Sequence, residues 1–281
     1  MRTVYDTIYI MGQGYTPLSC LKLLMDHGIK SIFLEYDQKI GSFSQKRLQS
    51  INIPYMKVDD KNLSNILLNK NKTLIFSINN TFLFPEKFVK SKNIDIINYH
   101  NSLLPRHRGV HAEAWAIYDG DSTTGITWHV VDSGIDTGNI LGQAEILIDS
   151  TTTSISLLKK QSKLAINTLN SILSDILKNK FVTVKQPKII NNNLHLKKDI
   201  PNNGELCLEW PPEKIWNFLR AMDYGILYTL GMPKIYFNGK WYSWKKYSLL
   251  DKRNRYSAKI QLYKNCFIID GVFLLEKIFE L

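Results

Sequence analysis

Cysteine is scarce in this sequence: Cys20, Cys207 and Cys266 are the three in 281 residues. They are odd in number and far apart, and they form no Cys-x-x-Cys pair. That argues against a disulfide framework, and the three are expected to be reduced, mostly buried thiols. Long hydrophobic runs are also missing, with no stretch approaching 18 uninterrupted apolar residues. The opening M-R-T-V-Y-D-T-I-Y-I-M-G has no signal-peptide h-region because Asp6 interrupts it, so a cytoplasmic protein is expected. Acidic residues are the minority, 25 against 36 Lys and Arg, for a formal charge of +11. That balance fits nucleic acid, an anionic substrate or a lysine-rich solvated surface, and the position of the charge must decide. G-x-S-x-G is absent, which leaves a serine-hydrolase triad poorly supported.

What is present is ordinary for a globular protein: 44% hydrophobic and 22% charged residues, in a chain long enough for one large or two modest domains. Residues 7–11 read as a strand, 17–27 as a helix ending at Gly28, and 31–36 as the next strand, a βαβ opening. Gly12-Gln13-Gly14 after the first strand and Glu35 at the end of the second invite a dinucleotide-binding reading. Pro17 stands where the third glycine belongs, and a bare strand-to-helix turn explains the glycines equally well. A helix is expected over 41–52, a strand from Ile53 to Val58, a short helix over 63–68 and a fully apolar strand over 73–78.

The most informative stretch is 98–142. An apolar run over 94–97 delivers Asn98 and His100 to its carboxyl end, where open α/β sheets place chemistry, and Pro105 and Gly109 then hold the backbone out of regular structure. A second strand over 124–131 ends in D-S-G-I-D-T-G, a tight polar loop carrying Asp136. An amide, an imidazole and a carboxylate therefore converge from two neighbouring loops. The imidazole can act as a base, the neutral amide can donate to an oxyanion, and the carboxylate can orient the imidazole. Each also has a structural reading, since Asp136 can simply cap its turn.

His100, His107, His111 and His129 lie close together in sequence, a pattern that can signal a metal site. Arg106, Arg108 and Gly109 make a ligand-bearing helix over 107–111 unfavourable, and neither a cysteine nor a suitably placed acid completes a zinc set. His129 is read as strand core. Arg106 and Arg108 can hold an anionic tail or be solvated loop residues.

Apolar residues at helical spacing from Ser154 to Lys178 mark a long helix, capped by the Ser/Thr run 150–154. Polar, Asn-rich 185–198 reads as a connection. After Pro201 come a helix over 213–222 and short aromatic strands with Asn238-Gly239 and Asp270-Gly271 hairpin signals. Nine basic residues over 234–264 interleave with aromatics. They can grip nucleic acid or form half-buried strands with lysines outward, and the second reading is favoured.

Asn98-x-His100, Ser102-Leu-Leu-Pro105, Arg108-Gly109, Trp115-Ala-Ile, Gly125-Ile-Thr127 and Asp136-Thr-Gly138 together resemble the N-formyltransferases that use 10-formyltetrahydrofolate. The resemblance implies a Rossmann-like, doubly wound, mostly parallel α/β domain over 1–184, a linker over 185–200 and a smaller β-rich C-terminal lobe over 201–281. It implies catalytic Asn98, His100 and Asp136, and no metal. Phe82, Leu83, Phe84, Leu104, Val131, Asp132, Gly134 and Ile135 would line the folate pocket, and Ser102, Arg106 and Arg108 would meet substrate. Arg220 resembles a residue on the family's helix facing the active-site lobe.

The loop V-H-A-E-A-W-A-I and the stretch D-Y-G-I-L-Y-T-L-G-M-P-K are similar to formyltransferases of peptide synthetases and secondary metabolism. The expected acceptor is accordingly a small-molecule or carrier-protein-bound amine derived from an amino acid. The alternatives are a nucleotide-linked amino sugar or methionyl-tRNA, the latter disfavoured because the longer basic loop of tRNA enzymes is absent after the second strand. A non-catalytic folate- or nucleic-acid-binding protein is the reading from a different class.

Overall fold

Six consecutive buried residues, Thr73–Ile78, form the middle of the main sheet, which is why their run is apolar on both faces. The computed structural model describes residues 1–36, 48, 53–68, 71–187, 194–250 and 259–281. The helix expected over 41–52 falls outside these residues except at 48. The described chain divides into two compact units. One is Met1–Gly109, Thr124–Ile146 and Lys159–Leu194; the other is Val110–Thr123, Leu147–Leu158 and His195–Leu281.

The first unit is built on a seven-stranded sheet. Its strands are β1 (Thr7–Gly12), β2 (Ile32–Tyr36), β3 (Tyr55–Val58), β4 (Thr73–Ile78), β5 (Ile94–His100), β6 (Thr123–Val130) and β7 (Ile140–Leu147), in the order β3-β2-β1-β4-β5-β6-β7. The first five pair in parallel, and β6 runs antiparallel to β5. This is the mostly parallel, doubly wound sheet that the sequence implies.

Period-two alternation splits the buried side chains between two layers. Leu74, Phe76, Ile97, Tyr99, Ile126 and Trp128 face one core, while Met11, Leu34, Ile75, Ile94 and Ile96 face the other. A 24-residue helix, Ser154–Leu177, contributes Ala165, Leu169, Leu173 and Ile176 to the first core at three- and four-residue spacing. The Trp128 indole N–H donates to the Ala165 carbonyl at 3.0 Å, so the buried ring leaves its polar atom satisfied. At the start of that helix, Thr153 and Ser156 exchange backbone-to-hydroxyl hydrogen bonds of 3.4 and 2.9 Å, a reciprocal cap.

The glycine at position 12 has a packing cause. A Cβ there would lie 1.7 Å from the Ile78 carbonyl oxygen, so only glycine lets β1 approach β4. Glu35 is buried and accepts the Tyr55 hydroxyl at 2.5 Å, which commits the acid that a dinucleotide reading assigns to a ribose.

In the second unit, Ala112–Asp119 is a helix and not the loop expected for V-H-A-E-A-W-A-I. Three alanines favour helix, and burial of Ala112, Ala114, Ala116 and Ile117 supplies the packing that eight residues need. Ala114 packs with Ile215, Phe218 and Leu219 of the helix Pro212–Ala221, which begins after Pro211 with proline in its first turn. Phe267, Ile269, Phe273 and Leu275 from the C-terminal strands complete this core.

Ile235–Phe237 and Lys240–Ser243 pair around Asn238-Gly239, both at positive φ (48° and 82°), as a two-residue hairpin requires. Along the described part of the basic run, Trp244 is buried and Tyr242 and Tyr247 pack on the core. Lys234 and Lys240 instead pair outward with Glu205 and Glu280. Lys252, Arg253, Arg255 and Tyr256 lie outside the described residues. Of the thiols only Cys20 is buried, its pKa pushed up to about 12 by desolvation. Cys207 and Cys266 are partly exposed, against the expectation of mostly buried thiols.

Candidate active site

Strands β5 and β6 place Asn98 directly opposite His129, and His100 opposite Thr127. Residues directly opposite in an antiparallel pair share a face, so these four side chains leave the same side of the sheet. The intervening Tyr99 and Trp128 turn into the core behind.

Asp136 reaches this face from the loop after β6, from a left-handed backbone position at φ 53°. Its Oδ2 lies 3.5 Å from His100 Nδ1 and accepts the Gly109 N–H at 2.8 Å. Its Oδ1 lies 3.4 Å from His129 Nε2 and 3.4 Å from Asn98 Nδ2. One carboxylate thus sits between two imidazoles. Burial raises its pKa, but the His100 charge and the hydrogen bond from the Gly109 amide lower it, and it is held well below the usual carboxylate range.

His100 Nε2 is 2.8 Å from the His107 carbonyl, which can only accept, so this nitrogen carries a proton. In the neutral ring Nδ1 is then the basic nitrogen, and a proton taken there is neutralised by Asp136. The Asn98 amide nitrogen is 3.1 Å from His129 Nε2.

The loop 101–107 is pinned from beneath. Ser102 is fully buried; its hydroxyl donates to the Arg106 carbonyl at 2.5 Å, so the serine holds the loop in shape. Thr127 uses its whole hydroxyl capacity, donating to the Ser102 carbonyl (2.6 Å) and accepting from Leu104 N–H (3.0 Å) and Gln143 Nε2 (2.8 Å). Gln161 donates to the Asn101 and Gly125 carbonyls at 2.7 and 3.0 Å. Leu104 is buried, Arg106 is exposed and Arg108 is partly buried.

The Asp136 loop is braced in a similar way. Asp132 Oδ1 accepts from Gly134 N–H and the Thr137 hydroxyl at 3.1 and 2.6 Å, and Gln186 donates to the Asp136 and Gly138 carbonyls. A Cβ on Gly138 would lie 1.7 Å from the Val130 oxygen.

The structure gathers some of the proposed folate-pocket residues and separates others. Phe82 and Phe84 meet edge to face at 5.1 Å, and with Val131 they pack against the core shared with Ile96. Asn80 shapes their loop by accepting the Phe82 N–H. Leu83 projects outward at 74% exposure, and Ile135 lies exposed at the tip of its turn.

Arg220 belongs to the second unit. It is buried there, donating to the Asp149 and Thr152 carbonyls and to Asn217. His107 and His111 both sit at positive φ, so no helix carries them as an i, i+4 ligand pair, and among the described residues no group of three His, Cys, Asp or Glu is placed to hold a metal. His129, which the sequence reads as strand core, instead turns its ring to Asn98 and Asp136, and sequence reasoning gives no role to Thr127, Gln143, Gln161 or Gln186. Thr127 had a signal, its place in Gly125-Ile-Thr, whereas the glutamines stand in ordinary amphipathic surroundings.

Among the described residues, no helix is long and apolar enough to cross a membrane. Comparison with known proteins bears on the chemistry. A formyl transferase family model matches residues 43–173. Methionyl-tRNA formyltransferase of Buchnera aphidicola is 30% identical, over 81% of this chain and 76% of the relative. GDP-perosamine N-formyltransferase of Brucella melitensis is 26% identical, over 76% of this chain and 84% of the relative. The bifunctional polymyxin resistance protein ArnA of Wigglesworthia glossinidia brevipalpis is 31% identical over 74% of this chain, which spans only 33% of that longer protein. In fold, the chain is similar to the crystal structure of WlaRD, a sugar 3N-formyl transferase, with a TM-score of 0.77, 22% identity, and coverage of 96% of this chain and 97% of that one. Sequence kinship over most of its length, on a fold shared almost end to end, makes this chain a member of the formyl transferase family.

Proposed function

We propose that the protein moves the formyl group of 10-formyltetrahydrofolate to the amino group of a nucleotide-linked amino sugar. The observation that carries formyl transfer is the meeting of Asn98, His100 and Asp136 around one carboxylate. The attacking amine adds to the formyl carbon, giving a tetrahedral oxyanion, and loses its proton to His100 Nδ1. Asp136 then pairs with the imidazolium. That draws the carboxylate away from Asn98, whose long 3.4 Å hydrogen bond to it is the one that breaks first, freeing an N–H for the oxyanion. Collapse expels the folate nitrogen, which takes the proton back from His100.

Phe82, Phe84 and Val131, which pack on one core, would suit the apolar faces of a pterin, and Leu83, Leu104, Asp132, Gly134 and Ile135 are assigned to the donor by the same reading. Arg106 and Arg108 suit an anionic part of donor or acceptor.

For the acceptor, the GDP-perosamine enzyme supports a nucleotide sugar, because the chain matches 84% of its length. A carrier-bound amino acid, the expectation from the loop motifs, has no such support. A diphosphate also suits the positive charge. Methionyl-tRNA is the second reading, favoured by the Buchnera relative.

The test offers 10-formyltetrahydrofolate with amino-sugar nucleotides, aminoacyl carrier protein and charged initiator tRNA in parallel, following tetrahydrofolate release. Turnover is expected with a sugar nucleotide, and turnover confined to another acceptor refutes this choice. Asn98→Ala and His100→Ala should each lower kcat about a hundredfold or more with the fold intact.

A further inference from the structure

His129 has no place in the mechanism above, yet it is almost fully buried beside two of its three groups. Its Nδ1 lies 3.0 Å from the Val130 carbonyl. A carbonyl only accepts, so Nδ1 carries the proton, and in the neutral ring Nε2 presents a bare lone pair. That lone pair meets the Asn98 amide nitrogen at 3.1 Å. Only the N–H end of an amide can occupy this position, since a flipped Asn98 would set its carbonyl oxygen against the lone pair. The cross-strand register leaves little room for adjustment, because Asn98 and His129 are direct partners on β5 and β6.

We infer that His129 is the positioning residue that decides which end of the Asn98 amide faces the reacting carbon. One N–H is anchored on His129 and the second lies in the plane so fixed, turned towards Asp136 at 3.4 Å and available to an oxyanion. The Val130 carbonyl sets the tautomer, the tautomer sets the amide, and the amide presents the donor. The charged group facing the ring is Asp136, which His100 and the Gly109 amide hold through its other oxygen. The kinetic part of this inference rests on the formyl-transfer reading; the tautomer does not.

His129→Leu removes the acceptor, while His129→Gln keeps an oxygen able to receive the same N–H. His129→Leu should lower kcat about thirtyfold or more, as for a misdirected oxyanion donor, with KM for the folate donor unchanged within about twofold. His129→Gln should recover kcat to within about fivefold of the wild type. A His129→Leu enzyme within about threefold of wild-type kcat, or a glutamine variant no better than the leucine one, overturns the proposal.

Long-range proton–nitrogen NMR of the histidine rings in the unliganded wild-type protein supplies a readout independent of turnover. The Nδ1–H tautomer is expected at His129, and an Nε2–H tautomer overturns the positioning role. Should the wild type transfer no formyl group to any acceptor, the formyl-transfer reading fails and the ring spectrum still decides the tautomer claim.

Discussion

Asp136 retains 12% of its side-chain surface and accepts hydrogen bonds on both oxygens, so its charge is a property of the folded state. Because its pKa is held below the ordinary carboxylate range, the folded protein binds that proton less readily than the unfolded chain does. The resulting stability is fully present above the unfolded pKa, near 4, and is lost as the pH falls from there towards the folded value. The melting temperature of the wild type should therefore exceed that of Asp136→Asn at neutral pH, and the gap should close below about pH 4. A gap independent of pH would contradict the charge assignment.

Thr127 offers a second test at the same scale. Thr127→Val keeps the shape and strands a buried N–H and a buried carbonyl in the loop that carries His107, costing about 1–3 kcal/mol in urea denaturation. The convergence of Asn98, His100 and Asp136 was legible from Asn98-x-His100 and D-S-G-I-D-T-G because short polar punctuation stands out against apolar strands. His129 was not, since T-W-H-V alternates as any strand does, and only the pairing register reveals that its partner is Asn98.

Elements were easiest to read where their pattern was long. The helix Ser154–Leu177 follows from its periodicity, and the strand Thr73–Ile78 from a short unbroken apolar run. Ala112–Asp119 is too short for a period to declare itself and is helical because its neighbours bury it. In the long helix, Leu169 is fully buried between the sheet and its own turns. Leu169→Ala should lower unfolding free energy by about 2–5 kcal/mol with little change in KM, measured by denaturant titration and steady-state kinetics. A loss below about 1 kcal/mol would mean that the core closes over the gap.

Across the whole molecule, the βαβ opening and the C-terminal hairpin signals announce an α/β protein with a β-rich end, but the partition of the chain between its compact units does not follow sequence order. No local signal encodes this, because it depends on which distant segments share a core. Within the second unit, residues 212–224 are tied to segments far upstream: Lys214 to the Tyr118 carbonyl, Trp216 to Ser150, Ser154 to the Ala221 carbonyl and Tyr224 to Glu113. Ala114 and Leu158 also pack in its core. Residues 195–281 expressed alone should then show no cooperative thermal transition, and a cooperative melt of that fragment would refute this. For protein engineering, the C-terminal portion is not a cassette. Exchanging it between relatives without its two upstream segments breaks a core that the chain assembles by leaving its first unit twice and returning.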